Sequence, residues 1–241
     1  MSAWQLPFDD GSRHLSGVVV GALLNDPAEL QALGPAAHEP PHKAPPHAPV
    51  LEVKPRQTLA GDGAVVRVPA GEAALQVGAS LGIVIGSVAC RVSEAEALHH
   101  VAGYLVAADF SLPLSSHYRP AVRLKARDGF CPIGPRVVPA AAVSRPDELS
   151  VEVSIDGTQA QAHRTGPRIR GVARLIADVT AFMTLNPGDV LLLGRAQGSP
   201  LARAGQRVEV AIGGVGTLRC RLADEVVTGM GDGAAGATEA A

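Results

Sequence analysis

The 241-residue sequence contains little of what stabilises small secreted domains or binds nucleic acid. Its three cysteines, Cys90, Cys131 and Cys220, are odd in number and widely spaced, so they predict neither a disulfide framework nor a CxxC metal site. Aromatic residues make up only 3% of the chain, the formal net charge is -2, and no run of lysine or arginine occurs. Because binding to a phosphate backbone needs a basic surface, the sequence argues against a nucleic-acid partner.

Long apolar runs are also missing. No segment approaches the roughly 18 uninterrupted apolar residues that a membrane-spanning helix needs. The first residues, MSAWQLPFDDGSRHL, lack the basic start and apolar core of a signal peptide. The sequence therefore predicts a soluble, cytoplasmic protein that does not bind membranes. Hydrophobic residues nevertheless make up 46% of the chain, which is enough for a substantial core.

Short strands dominate the secondary structure that the sequence predicts. Residues 50–70 and 75–88 consist of apolar and β-branched runs separated by glycine and proline, a pattern typical of strands. Residues 149–155, LSVEVSI, alternate between apolar and polar residues and are followed by Asp156 and Gly157. This combination predicts a β-hairpin with a two-residue turn.

Three short helices are predicted beside these strands. Asp26 followed by Pro27 has the order of an N-cap and a first helical residue. Ser93 and Glu96 have the spacing of a capping box, and apolar residues recur at helical intervals in residues 171–185. Because strands and helices do not alternate regularly, the sequence predicts a mainly β protein with a few short helices, an α+β fold.

Composition divides the chain into three predicted parts. Residues 1–47 contain a strand, a helix and a proline-rich loop, and residues 48–225 form the main, catalytic-type domain. Residues 226–241 have too few apolar side chains to form a core, so they are predicted to be a disordered tail.

The stretch QVGASLGIVIG, residues 76–86, leads from the fold to the function. Gly78 and Ser80 lie on one side of the predicted strand, where neither provides charge or much packing. Further blocks follow in a fixed order: ACRVSEAEALHHVAGYLVAADFS, KARDGFCPIGP, VSIDG, LIADVTAFMTLNPGDVLLLG and VEVAIGGVGTLRCRL. Over residues 48–222 this order of blocks resembles the fumarylacetoacetate hydrolase family.

The resemblance implies a fold, an activity class and an assembly. The fold is a mixed β-roll that typically pairs into dimers. The upstream blocks GVVVGALLN, PPHKAPPHAPVLEVKPRQTLAGDGA and SHYRPAVRLKARDGFCPIGP are most similar to the isomerase/decarboxylase branch of the family. That branch acts on unsaturated 2-oxo and 2-hydroxy dicarboxylates in the catabolism of 4-hydroxyphenylacetate, also called homoprotocatechuate catabolism.

The resemblance also implies a metal site that this sequence does not retain. Members of the family hold Mg²⁺ or a similar ion with a Glu-x-Glu pair and a later aspartate. The aligned positions here are Gly78, Ser80 and Asp109. Because hard divalent cations need several anionic oxygen ligands, we expect no metal cofactor.

Two residues are the catalytic candidates. Lys125 matches a lysine of the family's site and could stabilise the negative charge of an enolate; the alternative is a solvated basic loop. Asp109 could act as a general base if burial raises its pKa. Equally, Asp109 could cap a turn or pair with a cation.

Four further cations are candidates for binding the carboxylates of the substrate: Arg119, Arg195, Lys54 and Arg56. Arg195 replaces part of a threonine-rich substrate loop of related sequences, and its alternative is a solvent-exposed side chain. Lys54 and Arg56 match a basic block near the family's site entrance, and a charged strand edge would explain them equally well.

Three functional hypotheses follow. The first is a subunit that isomerises 2-hydroxyhepta-2,4-diene-1,7-dioate or decarboxylates 5-oxopent-3-ene-1,2,5-tricarboxylate, either as a homodimer or in a hetero-oligomer with a metal-retaining homologue. The second is a non-catalytic paralogue that supports such a metal-containing partner. The third is a carbon-carbon bond hydrolase, against which the missing carboxylates argue.

Overall fold

The protein is mainly β, as the sequence predicts. The computed structural model describes residues 5–8, 11–14, 17–113, 121–166 and 168–226. The strands are β1 (Gln5–Phe8), β2 (Gly11–His14), β3 (Val19–Leu23), β4 (Val50–Val53), β5 (Leu59–Ala60), β6 (Ala64–Val68), β7 (Leu75–Ile85), β8 (Val101–Ser111), β9 (Cys131–Pro139), β10 (Ser150–Ile155), β11 (Thr158–Arg164), β12 (Val190–Leu192), β13 (Leu201–Ala202), β14 (Arg207–Ile212) and β15 (Gly216–Asp224). The α-helices are α1 (Pro27–Gln31), α2 (Val122–Lys125) and α3 (Val172–Thr180). None of the helices in the described ranges is long and apolar enough to cross a membrane.

Two sheets carry the fold. The larger sheet has the strand order β2-β1-β9-β8-β7-β12-β3-β4, with β13 paired to β7 and β5 paired to β9. The smaller sheet has the order β11-β10-β14-β15-β6. Strand β4 ends the order of the larger sheet, yet β5, which follows it closely in the chain, pairs with β9 near the other end. The larger sheet therefore curls on itself.

The two faces of the larger sheet pack against different parts of the protein. Side chains on one face of β7, such as Val77 and Leu81, form the main core with residues of the smaller sheet such as Val153 and Val210. The opposite face of β7 presents Gly78 and Ser80, because successive side chains of a strand point to opposite faces. This second face lines the inside of the curl, where the candidate site lies.

Most of the local predictions are confirmed. Asp156 and Gly157 have positive φ angles of 51° and 78° and connect β10 to β11 as a tight hairpin. The side chain of Asp26 caps α1 by accepting a hydrogen bond from Ala28 N at 2.8 Å. Helix α3 buries the apolar stripe that the sequence predicts, but Phe182 lies beyond its C-terminal end and is exposed.

The predicted helix at Ser93 is wrong. Residues Ala97–His100 form a single 3-10 turn, and β8 begins immediately after it at Val101. The residues with capping-box spacing form a turn. The backbone from Val101 onward then pairs with β7 along the whole of β8, and this pairing replaces the helix.

The predicted three-part division stays a prediction. Strand β3, from the predicted N-terminal part, lies inside the larger sheet between β12 and β4. Of the predicted disordered tail, residues 227–241 lie outside the described residues.

Candidate active site

Two lysines and two carboxylates form a buried ion cluster on the inner face of the curled sheet. Lys54 Nζ lies 2.6 Å from Asp109 Oδ1 and 2.7 Å from Glu52 Oε1. Lys125 Nζ lies 2.6 Å from Glu52 Oε1 and 2.8 Å from Asp109 Oδ2. Each ammonium group thus contacts both carboxylates, and we call these four residues the lysine–carboxylate cluster.

The curl of the sheet brings these residues together. Glu52 lies on β4 and Lys54 directly follows that strand, whereas Asp109 lies on β8, several strands away in the sheet order. Glu52 is paired with Gly21 of β3, where a Cβ atom would lie 3.3 Å from Glu52 Oε1. The missing side chain at Gly21 therefore leaves room for the Glu52 carboxylate.

Lys125 reaches the cluster from the short helix α2. The helix is held against the end of β8, because Leu112 N donates a hydrogen bond to Leu124 O at 3.0 Å. Lys125 is the last residue of α2 and is almost fully buried.

Burial strengthens the interactions between the charged groups of the cluster. The side chains of Lys54 and Lys125 are 2% and 4% exposed, whereas those of Asp109 and Glu52 are 8% and 15% exposed. Burial by itself lowers the pKa of Lys54, but the charges of Asp109 and Glu52 outweigh it and raise the pKa above its ordinary value. Lys54 is consequently a fixed ammonium group rather than a proton acceptor.

Asp109 experiences the opposite balance. Burial by itself raises the pKa of its carboxyl group, but Lys125 and Lys54 outweigh this effect and hold the pKa well below its usual range. The condition under which Asp109 would be a general base, a raised pKa, is not met. Its alternative role, pairing with a cation, is what the structure shows.

A buried thiol lies near the cluster. Burial raises the pKa of Cys131 to about 12, and the nearby charges of Lys54, Asp109 and Glu52 also act on it. A thiol with this pKa is protonated at neutral pH, and only the thiolate is a strong nucleophile. Cys131 therefore contributes no nucleophile to the site.

Arg195 packs against the inner face of β7, beside the cluster. Gly78 is paired with Asp109 across β7 and β8. A Cβ atom at Gly78 would lie 2.9 Å from the backbone oxygen of Asp109 and 3.2 Å from Arg195 Cδ. The side chain of Arg195 thus fills the space that a side chain at position 78 would need.

Arg195 is itself buried and held by polar partners. Its Nε atom donates to Glu29 Oε1 at 3.3 Å, and its Nη1 atom donates to Gln76 Oε1 at 3.3 Å. Ser80 Oγ accepts a hydrogen bond at 3.0 Å from the backbone of Gly194, the residue before Arg195.

These residues do not fit a divalent metal ion. Gly78 provides no donor atom, Ser80 Oγ is engaged with the backbone, and both oxygens of Asp109 face lysine ammonium groups. Hard cations such as Mg²⁺ bind through several anionic oxygens. Among the residues that the structure describes, no group of three or more His, Cys, Asp or Glu side chains is arranged to hold a metal.

The predicted site residues therefore differ in their positions. Lys54, Lys125 and Asp109 lie together in the cluster. Arg195 is buried beside Gly78, the residue that pairs with Asp109 across β7 and β8. Arg56 is exposed, and its side chain has no hydrogen bond or ion pair to any described residue. Arg119 lies outside the described residues.

Three polar residues of the site were not predicted: Glu52, Gln76 and Glu29. The sequence carries a signal for Glu52, because residues two apart in a strand point the same way and Lys54 is a candidate. No such signal existed for Glu29, which reaches Arg195 from the helix α1.

Comparisons with known proteins agree with this architecture. The sequence model of the family described as "Fumarylacetoacetate (FAA) hydrolase C-terminal" matches residues 18–223. The 4-hydroxyphenylacetate degradation bifunctional isomerase/decarboxylase of Escherichia coli is 39% identical over 211 residues, which cover 88% of this chain and 48% of the relative. The chain therefore spans about half the length of this curated relative.

Solved structures show the same fold. The fumarylpyruvate hydrolase of Pseudomonas aeruginosa, solved with Mn²⁺ and pyruvate, superposes with a TM-score of 0.77 at 24% identity and covers 93% of this chain and 97% of its own. The 2-hydroxyhepta-2,4-diene-1,7-dioate isomerase of Mycobacterium marinum superposes with a TM-score of 0.71 at 27% identity. The superposition covers 90% of this chain and 79% of the isomerase chain.

Proposed function

The chain belongs to the fumarylacetoacetate hydrolase family, and on that premise we propose that it is an isomerase/decarboxylase subunit of 4-hydroxyphenylacetate catabolism. Its substrates would be unsaturated 2-oxo and 2-hydroxy dicarboxylates. The reactions would be isomerisation of 2-hydroxyhepta-2,4-diene-1,7-dioate and decarboxylation of 5-oxopent-3-ene-1,2,5-tricarboxylate. The similarity to the E. coli isomerase/decarboxylase of 4-hydroxyphenylacetate degradation and to the 2-hydroxyhepta-2,4-diene-1,7-dioate isomerase of M. marinum supports this substrate class.

One observation carries the proposal: two buried ammonium groups are fixed side by side in the lysine–carboxylate cluster. Isomerisation and decarboxylation of a 2-oxo acid both place negative charge on the oxygen next to its carboxylate. Fixed donors stabilise such charge best where water is excluded. Lys54 and Lys125, both nearly inaccessible to solvent, meet that requirement.

The carboxylates would then have different roles. Asp109 contacts both lysines and has a lowered pKa, so it would position the ammonium groups and remain ionised. Glu52 is the most exposed member of the cluster and contacts both lysines through the same oxygen. We propose that the 2-hydroxyl oxygen of the substrate displaces Glu52 from the lysines, and that Glu52 takes the hydroxyl proton and returns it to a carbon atom of the diene, which converts the dienol into its 2-oxo tautomer.

This mechanism needs no metal ion. Proton transfer along a conjugated system requires a positioned acid or base and a cation for the developing charge, and Lys54, Lys125 and Glu52 provide these groups. We therefore favour the isomerisation over the decarboxylation as the reaction of this chain.

A second candidate is a non-catalytic subunit that supports a metal-containing homologue. One observation favours it: every charged group of the lysine–carboxylate cluster already has an oppositely charged partner at 2.6–2.8 Å. A cluster that is satisfied in this way also serves as a structural element. A carbon-carbon bond hydrolase is the third candidate, and no feature of the site favours it.

The assembly and compartment are part of the proposal. Because the chain spans about half of its E. coli relative, we propose a homodimer or a hetero-oligomer with a homologous, metal-retaining chain. We propose that the protein acts in the cytoplasm, on small dicarboxylates rather than on nucleic acid or membranes.

Direct assay separates the candidates. The purified chain is incubated with 2-hydroxyhepta-2,4-diene-1,7-dioate, and loss of the conjugated dienol is followed by ultraviolet absorbance, with and without EDTA. Turnover that exceeds the uncatalysed rate and survives EDTA supports a metal-independent isomerase. Turnover that appears only after a metal-retaining homologue is added supports the non-catalytic subunit.

A further inference from the structure

Three positions along the inner face of β7 all contact one short segment, Gly194 and Arg195. Gln76 accepts a hydrogen bond from Arg195 Nη1, Gly78 leaves the space in which Arg195 Cβ and Cδ lie, and Ser80 accepts from Gly194 N. Two of these three positions are those where the family resemblance places metal-binding glutamates. All three positions on this face therefore contact or accommodate the Gly194–Arg195 segment.

The fit at Gly78 leaves little room for another side chain. The backbone of Gly78 is ordinary strand, without a positive φ, so its conformation would accept any residue. A Cβ atom there would nevertheless lie 3.2 Å from Arg195 Cδ and 3.3 Å from Arg195 Cβ. A carboxylate side chain at position 78 would therefore require Arg195 to move from its present position.

The guanidinium group of Arg195 donates hydrogen bonds through two of its three nitrogen atoms. Glu29 accepts from Nε, and the other oxygen of Glu29 accepts from Leu24 N at 3.1 Å. Gln76 accepts from Nη1, and Ser111 Oγ donates to the same Gln76 oxygen at 3.4 Å. Within the described ranges, the Nη2 atom donates to no protein atom.

We propose that Arg195 takes over the position and the positive charge of the divalent cation of metal-dependent relatives, and binds a carboxylate of the substrate through Nη2. This inference rests on the proposed function for the identity of the substrate. Arg195 is suited to the task because its guanidinium is permanently charged and its planar donors match a carboxylate. Glu29 and Gln76 fix the plane of the group before the substrate arrives.

The competing explanation is structural: Arg195 and Glu29 would only fasten α1 to the loop after β12. The two explanations differ in what they predict for an anion in solution. A binding residue affects the affinity for a small dianion, whereas a structural residue affects only the stability of the fold.

The test is isothermal titration calorimetry with oxalate, a dianion that resembles the enolate of a 2-oxo acid. Wild-type protein is titrated in EDTA and again with Mn²⁺, and both titrations are expected to give the same affinity. Arg195→Gln is expected to weaken oxalate binding by about tenfold or more, the scale of one charge-assisted hydrogen bond. Arg145→Gln is the matched control, because the Arg145 side chain is exposed and its one ion pair among the described residues is with Glu148 on the surface.

Two further variants keep the test decisive if Arg195→Gln fails to fold with Glu29 unpaired. Arg195→Lys keeps a cation beside Glu29 but loses the planar donors, so its affinity is expected to lie between the other two. Gly78→Ala adds a methyl group against Arg195 and against the backbone oxygen of Asp109, and it is expected to weaken oxalate binding more in wild type than in the Arg195→Gln background.

Several results would overturn the proposal. They are no measurable binding of oxalate in EDTA, binding that depends on Mn²⁺, or an unchanged affinity in folded Arg195→Gln or Arg195→Lys protein. Because the titration requires no turnover, the protein can bind oxalate through Arg195 and still fail as an isomerase. Failure of the proposed function is thereby distinguished from failure of this inference.

Discussion

Replacement of Lys125 by methionine tests the central claim about the site. Methionine keeps an unbranched side chain but removes the ammonium group that lies 2.6 Å from Glu52 and 2.8 Å from Asp109. If that group stabilises the developing enolate, its loss is expected to lower kcat by about two to three powers of ten, the usual effect of removing one such donor. Steady-state turnover of the dienol substrate measures the change.

The same substitution also affects stability, and the structure sets the scale. Removing one member of a buried ion pair costs about 3–5 kcal/mol when the remaining charge has no other partner. Here Lys54 still contacts both Asp109 and Glu52. We therefore expect a smaller loss in the free energy of unfolding, about 1–3 kcal/mol, measured by urea denaturation.

The control is Lys43→Met, which removes an exposed ammonium group from the proline-rich loop and is expected to change neither quantity. The reasoning is refuted if folded Lys125→Met protein turns over substrate within about twofold of the wild-type rate. A fall in activity that only follows the unfolded fraction would show that Lys125 acts through stability alone.

Three further predictions concern pH, thiol reactivity and assembly. The pKa of Asp109 is lowered by folding, so its contribution to stability is present above the unfolded pKa of about 4 and is lost as pH falls through the folded value. Asp109→Asn should flatten the acid side of a urea stability profile against pH, and an unchanged profile contradicts the ion cluster. In the native protein Cys90 is exposed, whereas Cys131 and Cys220 are buried and their pKa values are raised to about 12. A thiol reagent at pH 8 should therefore label Cys90 quickly and the other two slowly. Rapid labelling of all three cysteines would contradict this prediction. Size-exclusion chromatography with mass measurement should show a homodimer alone and a mixed oligomer after co-expression with a metal-retaining homologue, and a monomer in both experiments argues against the assembly.

The sequence predicts elements well where local chemistry determines them. The hairpin turn at Asp156-Gly157 and the N-cap at Asp26 are confirmed because turn and cap residues act on their immediate neighbours. The apolar stripe of α3 is confirmed because its period matches the helix. The capping box at Ser93 fails because a long-range strand pairing competes for the same backbone.

The site is predicted only in part because its contacts are long-range. Lys125 and Asp109 were found through a family resemblance, and nothing in their neighbourhood in the sequence indicates that Glu52 bridges Lys54 and Lys125. That contact depends on the curl that brings β4 towards β8. The low pKa of Asp109 depends on the same curl, and so the sequence left its role open.

The energetics of the cluster argue for a role beyond stability. Its four charged side chains are at most 15% exposed and lie on a face whose other residues include Leu59, Ile133 and Cys131. Removing charges from water costs several kcal/mol per ion, and apolar residues of similar volume in such a position are often equally or more stabilising. Folding stability alone therefore does not account for two lysines there. Binding of the proposed anionic substrate would account for them, because an ammonium group fixed in a site without water interacts more strongly with developing negative charge than the same group in water.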